Sequence, residues 1–144
     1  YKFVHANIYC EEEKIENNTW NMHQFVSVDK DGNVIGYIKY NVSRLDNSCN
    51  GLCIYNFSDN KAIFGMDLGR ALQDIFDKFK FRKLTFCVVV GNPIERSYDK
   101  MIKKYNGRIV GTWHKEFKCY DGEYYDKKSY EILREDYLES KKSQ

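Results

Sequence analysis

The stretch of sequence that decides the fold runs from Leu84 to Glu95 and reads LTFCVVVGNPIE. Its apolar part becomes β-branched toward the end, which is typical of a central strand covered on both faces. Cys87 inside it is expected to behave as a small hydrophobe. Asn92 is a good N-cap, Pro93 suits the first helical position, and Glu95 completes a capping box. The stretch therefore predicts a strand followed directly by a helix.

Helical periodicity is found on both sides of this strand. Before it, apolar residues recur at i, i+3, i+4, i+7, i+8 and i+11 and define one face of an amphipathic helix, formed by Leu68, Ala71, Leu72, Ile75, Phe76 and Phe79. After it, the helix that opens at Asn92 is predicted to end at Gly107. A strand-like run from Leu52 to Phe57 precedes the first helix. The order strand, helix, strand implies a parallel crossover.

Two pairs of strand-like runs flank this crossover. The first pair, Phe25 to Val28 and Val34 to Tyr40, encloses an Asp-Gly turn, which favours a hairpin because glycine accepts a positive φ. The second pair, Ile109 to Tyr120 and Glu123 to Leu133, lies about another Asp-Gly, and Arg134 to Ser140 is predicted to be a closing helix or tail. Together the elements predict an α/β (α+β) fold, with a mixed, mostly antiparallel sheet and helices on both faces.

Length and composition exclude several classes of protein. The chain has 144 residues, the usual size of one domain, and we expect a single domain over residues 1–144. Its 23 Lys and Arg against 21 Asp and Glu leave a formal charge of +2, so nucleic acid is not an expected partner. No apolar run approaches the roughly 20 residues of a membrane helix, so no membrane contact is expected. Five cysteines without paired spacing favour reduced thiols in a cytoplasmic protein and give no zinc site, and no metal is expected.

The segment from Phe64 to Leu72 is expected to join a strand to the first helix, and it contains Gly65 and Gly69. Free amides at a helix start can bind a phosphate, and glycine lets the phosphate approach the main chain. The alternative is structural, with Asp67 as a helix cap and Gly65 as the turn. Asn92 leaves a similar choice open, between a ligand contact at the end of the strand and a cap.

The other polar residues give no catalytic pattern from their spacing. His5, His23 and His114 are scattered, without an i,i+4 pair and without a partner that would build a nucleophile triad. The basic runs from Lys78 to Lys83 and from Lys100 to Lys104 have the usual pattern of a solvated face, although they could also meet phosphates of a ligand.

Four stretches between Phe25 and Tyr137 match one family when they are taken together. They are Val34–Ile38, which contains VIGYI; Phe64–Leu72, in the place of a Gly-rich pyrophosphate loop; Val90–Pro93, at the strand end; and Gly107–Gly111 with Asp121–Asp126 and Tyr130, in the closing hairpin. On these residues the chain resembles the GNAT superfamily of acetyl-CoA-dependent N-acetyltransferases, in particular the branch with ribosomal-protein and small-molecule acetyltransferases. The resemblance implies a GNAT-like sheet with one parallel crossover.

The resemblance also implies an enzyme that moves an acetyl group from acetyl-CoA to a primary amine by direct attack in a ternary complex. Acetyl-CoA would lie between the third strand-like run and the central strand, and a main-chain N–H near Tyr55 would hold the oxyanion. Tyr98 is the first candidate for the proton donor to the leaving thiolate, and Tyr105 is the second. The cofactor-binding residues that the resemblance implies are Tyr55, Asn56, Phe57, Gly65, Met66, Asp67, Leu68, Gly69, Arg70, Asn92 and Ser97.

Two departures from the family pattern keep a second function open. Phe64 and Asp67 replace the residues usual in the pyrophosphate loop, and Asn50 to Tyr55 contains no Glu or Asp that could be a general base. The alternative is therefore a non-catalytic GNAT-fold binding module with a degenerate loop. A third hypothesis, an RNA-binding protein with Tyr and Lys faces, is opposed by the small net charge. The acceptor amine (a small molecule, a protein N-terminus or a lysine) and homodimer formation are left open.

Overall fold

The computed structural model of the chain describes residues 18–59 and 61–143, and only the main chain of Phe64. Its strands are β1 (Met22–Val28), β2 (Val34–Ser43), β3 (Ser48–Asn56), β4 (Lys83–Val89), β5 (Arg108–Lys118) and β6 (Tyr124–Leu133). Its helices are α1 (Lys61–Gln73), α2 (Glu95–Lys104) and α3 (Arg134–Lys142), and a π-helical turn over Asp74–Lys78 continues α1. His5 and Cys10 lie outside the described residues.

The strands form one six-stranded sheet in the order β1-β2-β3-β4-β6-β5. The pairs β1–β2, β2–β3 and β5–β6 are antiparallel. β3 and β4 pair in parallel through Ser48↔Lys83 and Cys49↔Leu84, and α1 lies between them in the chain. The predicted mixed, mostly antiparallel sheet with one parallel crossover is confirmed. The strand predicted from Leu52 begins earlier, at Ser48.

The described residues form two compact units. The β1–β3 unit comprises residues 18–85 with Leu133–Glu135, and the β5–β6 unit comprises Phe86–Ile132 with residues 136–143. The expectation of one domain over residues 1–144 stays a prediction.

A tight turn joins β1 to β2 in the β1–β3 unit. The Asp29 carboxylate accepts hydrogen bonds from the main-chain N–H groups of Asp31 and Asn33, each at 2.9 Å. These donors, Asn33 above all, hold the pKa of Asp29 below its ordinary value. Gly32 has a φ of 84°, a left-handed conformation that glycine adopts without strain. The hairpin predicted from Asp-Gly is confirmed.

The amphipathic helix is present, but it starts earlier than the apolar stripe suggests. Ala71, Leu72, Ile75 and Phe76 are buried as predicted, whereas Phe79 is partly exposed. The Phe79 N–H donates to the Asp74 carbonyl at 2.8 Å, an i→i+5 bond that makes the last turn π-helical.

Three aromatic rings pack together in the core of the β5–β6 unit. Phe86 stacks on Tyr130 with a centroid distance of 5.0 Å and an interplanar angle of 16°. Tyr98 meets both rings edge-on, at 5.0 Å and 5.9 Å. Cys87, in contrast, is exposed, with its Sγ 3.5 Å from Ser129 Oγ. The expectation that β4 is covered on both faces is met only at the end of the strand, where Val88 and Val89 are both buried, since the face that carries Cys87 is open beside it.

Helix α2 begins at Glu95, two residues after the predicted start at Pro93. The side chains of the predicted capping residues still accept main-chain hydrogen bonds, but each bond comes from the residue before the one that a capping box would use. Asn92 Oδ1 accepts a hydrogen bond from the Ile94 N–H at 3.1 Å, and Glu95 Oε2 accepts one from the Gly91 N–H at 2.9 Å. Asn92 therefore closes a turn just before the first regular turn of the helix.

Asn106 and Gly107 have different structural roles at the end of α2. Asn106 takes the left-handed conformation, with a φ of 56°, and the Gly107 N–H donates to the Ile102 carbonyl at 2.7 Å. A Cβ at Gly107 would lie 2.7 Å from the Glu131 carbonyl oxygen. Gly107 is thus required by the close approach of β6, and Asn106 turns the chain.

Among the described residues, no helix is both long and apolar enough to cross a membrane. Cys49, Cys53, Cys87 and Cys119 are free thiols.

Candidate functional site

The segment expected to bind pyrophosphate lies inside α1 rather than before it. α1 starts at Lys61, so Gly65 is its fifth residue and the Gly65 N–H is directed at the Lys61 carbonyl. The amides without an intrahelical acceptor are those of residues 61–64. The expectation that the amides of Gly65 to Arg70 are free at a helix start was therefore wrong. The glycines suggested a loop because each lowers helix propensity by about 1 kcal/mol, but the packing of the apolar face of α1 outweighs this.

Asp67 is not a helix cap. Its Oδ2 accepts a hydrogen bond from the Ser27 hydroxyl on β1, and its Oδ1 lies 3.8 Å from Arg70 Nη1. The carboxylate is thus engaged with the sheet beneath α1, and Arg70 on the exposed side partly balances its charge.

One face of α1 has room for a ligand at its glycines. A Cβ built on Gly65 or on Gly69 would meet no atom of the described residues within 4 Å. Met66 between them is 62% exposed, Arg70 is exposed, and Leu68 is half-buried. The packing of the described residues therefore gives no reason why a side chain should be absent at Gly65 or at Gly69.

The end of β3 presents two main-chain donors away from β2. The Phe57 N–H donates to the Ile35 carbonyl at 2.7 Å, and Tyr55 pairs with Tyr37. Because successive N–H groups of a strand point to opposite edges, those of Ile54 and Asn56 are directed away from β2. The sequence analysis singled out Tyr55 and missed Ile54, since only the register of the hairpin decides which amides face outward.

The side chains of the predicted β3 residues lie on two faces of the sheet. Ser27, Gly36 and Asn56 are register partners and share the face that carries α1. The rings of Tyr55 and Phe57 lie on the other face, stacked with an interplanar angle of 10° and exposed by 43% and 65%. Of the β3 candidates, the structure therefore brings only Asn56 to the face of Asp67.

The candidates on α2 differ in their accessibility. Ser97 is exposed, and Asn92 is half-buried in the turn between β4 and α2. Tyr98 is buried against Phe86 and Tyr130. Tyr105 is buried at the other end of α2, where its ring stacks on Tyr137 at 5.4 Å. The structure does not bring the two tyrosines together, because they lie about two turns apart on one helix.

Sequence reasoning missed an ion network that joins α2 to β6. Lys128 Nζ lies 3.3 Å from Glu95 Oε1 and 3.0 Å from Asp99 Oδ1, and the Lys128 side chain is only 15% exposed. The Tyr130 hydroxyl donates to Asp99 Oδ1 at 2.7 Å. Burial and then the Asp99 carboxylate raise the pKa of Tyr130, which therefore keeps its proton. Alternate residues of β6 share a face, so the spacing of Lys128 and Tyr130 is a signal that could have indicated this network.

A second polar pair lies on β5 and β6. His114 Nδ1 is 3.3 Å from Asp126 Oδ2, and the Lys115 N–H donates to Asp126 Oδ1 at 2.9 Å. The Lys115 amide and then the His114 ring hold the pKa of Asp126 below its ordinary value. Asp126 is thus an ionised carboxylate with a fixed orientation.

No group of three His, Cys, Asp or Glu side chains within residues 18–59 and 61–143 could hold a metal ion. The expectation that the protein uses no metal stays a prediction.

Comparison with known proteins identifies the fold. No protein-family model matches the chain, and no curated protein matches its sequence. Among solved structures, the spermidine N-acetyltransferase from Vibrio cholerae in complex with CoA and spermine matches with a TM-score of 0.70 and 24% identity, over 83% of this chain and 69% of that one. The spermidine/spermine N-acetyltransferase from Vibrio cholerae with manganese ions matches with a TM-score of 0.69, 24% identity and the same coverages.

A solved structure with lower sequence identity has the same fold. A protein described as a probable acetyltransferase matches with a TM-score of 0.65 and 16% identity, over 81% of this chain and 64% of that one. At these identities the likeness concerns the fold alone. The chain has the fold of the GNAT acetyltransferases, as the sequence analysis expected.

Proposed function

We propose that the protein is an N-acetyltransferase that moves an acetyl group from acetyl-CoA to a primary amine. The observation that carries this proposal is the end of β3, where the outward N–H groups of Ile54 and Asn56 follow a short parallel pairing with β4, in a fold shared with amine N-acetyltransferases. Such an edge can bind an extended, amide-containing ligand by main-chain hydrogen bonds.

The pantetheine arm of acetyl-CoA contains two amide groups, and the outward donors of β3 suit them. In this proposal Ile54 and Asn56 hold the arm, and one of these N–H groups stabilises the oxyanion formed during acetyl transfer. The main-chain groups of Tyr55 and Phe57 face β2, so in this proposal these two residues contribute their exposed rings, which lie on the other face of the sheet.

The α1 segment from Gly65 to Arg70 binds the pyrophosphate in this proposal. The open space at Gly65 and Gly69 lets a phosphate lie against the helix, and Arg70 supplies a positive charge that is 71% exposed. Met66, Asp67 and Leu68 are contact residues of the same segment. In the β5–β6 unit, Asn92 and Ser97 are the proposed cofactor contacts at the start of α2.

The chemical step is direct attack of a neutral amine on the thioester carbonyl. The C–N bond forms, the tetrahedral intermediate collapses, and the C–S bond to CoA breaks. The leaving thiolate takes a proton, for which Tyr98 is the first candidate and Tyr105 the second. The nitrogen is cationic after its attack and loses one proton as the amide forms, which restores the proton of the donor.

The acceptor is a primary amine of a small molecule or of a protein N-terminus or lysine. The relative solved with CoA and spermine favours a small cationic amine among these. A cytoplasmic location and a homodimer belong to the same proposal.

The second candidate function is a non-catalytic binding module, and Asp67 is the observation that favours it. A carboxylate in the segment proposed for pyrophosphate repels an anion unless its charge is balanced. Ser27 and Arg70 contact this carboxylate, which supports the catalytic proposal over the binding module.

Calorimetric titration of the chain with acetyl-CoA and with CoA tests the proposal. We expect a dissociation constant in the micromolar range, about −8 kcal/mol, followed by thiol release when a panel of amines is added. Asn56→Asp should weaken binding, because it adds a negative charge on the face of α1, whereas Asn50→Asp on the same strand is the matched control. Binding without turnover would favour the binding module, and no binding up to millimolar ligand would exclude the N-acetyltransferase.

A further inference from the structure

The proposed function leaves one reactive pair unused. His114 on β5 and Asp126 on β6 contact each other at 3.3 Å, and the His114 side chain is 84% exposed. A carboxylate that accepts the Nδ1 proton of an imidazole fixes its tautomer and leaves Nε2 as a proton acceptor. Among the described residues, no other hydrogen bond engages the His114 ring, so Nε2 is open to a ligand.

Asp126 is held in place by the main chain on both sides. Its carbonyl accepts a hydrogen bond from the Val90 N–H at 2.9 Å, and its carboxylate accepts one from the Lys115 N–H at 2.9 Å. Lys115 has a φ of 49°, which is unusual for a residue with a side chain, and the β5–β6 register shifts between Trp113 and Phe117. A bulge of this kind redirects the side chains beside it, and bulges are frequent next to active sites.

The position of the pair suits a ligand. Val90 follows the last residue of β4 and precedes the Gly91–Asn92 turn into α2, the place where open α/β sheets bind ligands. Because Asp126 accepts the hydrogen bond from Val90, Asp126 lies directly beside this strand end. His114 contacts Asp126 and therefore lies close to the same strand end.

Several other bases among the described residues are engaged elsewhere. His23 is buried and its Nδ1 contacts the Tyr40 hydroxyl at 2.8 Å. Glu95 and Asp99 share an ion pair with Lys128, and Glu131 is paired with Arg108. His114 combines accessibility with an orienting carboxylate.

We propose that His114, oriented by Asp126, is the general base that removes the proton from the acceptor amine. This inference rests on the proposed acetyl transfer. An alkyl ammonium group is more than 99% protonated at pH 7 because its pKa is about 10, so it must lose a proton before it can attack. Nε2 takes one proton from the ammonium nitrogen, which leaves a neutral amine with a lone pair and an imidazolium stabilised by Asp126. Because this transfer precedes attack, the base can act on the incoming amine before the amine reaches the thioester.

The test is the pH dependence of kcat/KM for His114→Gln, measured between pH 6 and pH 10 with a primary amine as acceptor. We expect a loss of about 100-fold or more at pH 7, which shrinks toward pH 10 as the amine loses its proton without help. Asp126→Asn should give a smaller loss with the same pH dependence, and added imidazole should restore part of the activity of His114→Ala. Glu116→Gln, another exposed residue of β5, is the control.

The outcomes separate this inference from the proposed function. If the wild-type chain is active and His114→Gln has the same kcat/KM at every pH, the base is another group and the inference is wrong. A loss of equal size at pH 7 and pH 10 would also overturn it, since that pattern indicates a structural effect. If the wild-type chain binds no acetyl-CoA, both the function and the inference fall.

Discussion

The Ser27 hydroxyl donates a hydrogen bond to the Asp67 carboxylate, and this contact ties the middle of α1 to strand β1. Ser27 is buried, and the Asp67 side chain is 29% exposed. Asp67 occupies a segment in which the GNAT pattern favours glycine, so its charge is the main objection to anion binding there. The contact with Ser27 gives this carboxylate a structural role beneath the helix.

We expect Ser27→Ala and Asp67→Asn each to lower the free energy of unfolding by about 0.5–1.5 kcal/mol, because each weakens this partly buried hydrogen bond. The double variant should lose less than the sum, since the residues act on one contact. Chemical denaturation of the four proteins measures the coupling. Acetyl-CoA affinity should change little in Asp67→Asn, with Asp31→Asn in the β1–β2 turn as the control. A tenfold rise in affinity would show instead that the carboxylate opposes the ligand.

The glycines of α1 allow a test that separates stability from binding. Within the part of the chain that the structure describes, a Cβ at Gly69 would meet no atom within 4 Å, and alanine is the better helix former. We expect Gly69→Ala to raise the free energy of unfolding by about 0.5–1 kcal/mol, and to weaken acetyl-CoA binding because the methyl group fills the space proposed for the pyrophosphate. Denaturation and calorimetry measure the two effects. Gln73→Ala, also on α1, should leave affinity unchanged; if Gly69→Ala does so too, the pyrophosphate lies elsewhere.

The sequence predicted those elements whose local signals agree with their packing. The Asp-Gly hairpin and the apolar stripe over Ala71–Phe76 were confirmed, because turn chemistry and burial favour the same structure there. The start of α1 was missed because Gly65 and Gly69 favour a loop locally, whereas the packing of α1 on the sheet favours a helix. Whether a local signal predicted the structure correctly therefore depended on whether the tertiary contacts of that segment favoured the same structure.

The candidate site was less predictable than the fold, because its contacts join distant parts of the chain. Lys128 reaches Glu95 and Asp99 across 33 and 29 positions. The pair of His114 and Asp126 depends on a bulge, and nothing in a sequence pattern places a bulge at one particular residue. Spacing along a single segment could not have revealed either set of partners.

Gly107 and Gly111 provide a matched pair for the contact between α2 and β6. A Cβ at Gly107 would lie 2.7 Å from the Glu131 carbonyl oxygen and 2.8 Å from Ile132 Cγ1, whereas one at Gly111 would meet none of the described atoms within 4 Å. We expect Gly107→Ala to lower the free energy of unfolding by about 1–3 kcal/mol through overpacking, and Gly111→Ala to change it little. Thermal and chemical unfolding measure both. Equal effects in the two variants would contradict the close approach.

His23 makes the stability of the protein depend on pH. Burial, and then the positive charge of Arg44, hold the pKa of His23 below the ordinary value of 6.5. The unfolded chain therefore takes up a proton at this residue more readily than the folded protein does. The stabilisation is present above pH 6.5 and is lost as the pH falls through that value.

Denaturation at pH 7.5 and pH 5.5 checks this prediction. The wild-type protein should lose more stability between these two conditions than His23→Gln, which has no group to protonate at this position. The comparison concerns the difference between the two pH values, so the packing cost of the substitution itself cancels. A pH dependence that is unchanged in His23→Gln would assign the effect to other groups.

The two candidate proton donors can be separated by removing one oxygen atom from each. Tyr98 lies among Phe86 and Tyr130 near the start of α2, whereas Tyr105 stacks on Tyr137, with Lys104 and Lys141 within 5.4 Å of its ring. Both rings are buried packing contacts, but Tyr98 lies nearer the start of α2, where Asn92 and Ser97 are the proposed cofactor contacts. We therefore expect Tyr98→Phe to lower kcat by about 100-fold or more while leaving KM for acetyl-CoA unchanged, because a proton donor acts only in the transition state. Tyr105→Phe should keep near wild-type kcat in the same thiol-release assay, and the reverse result would make Tyr105 the donor.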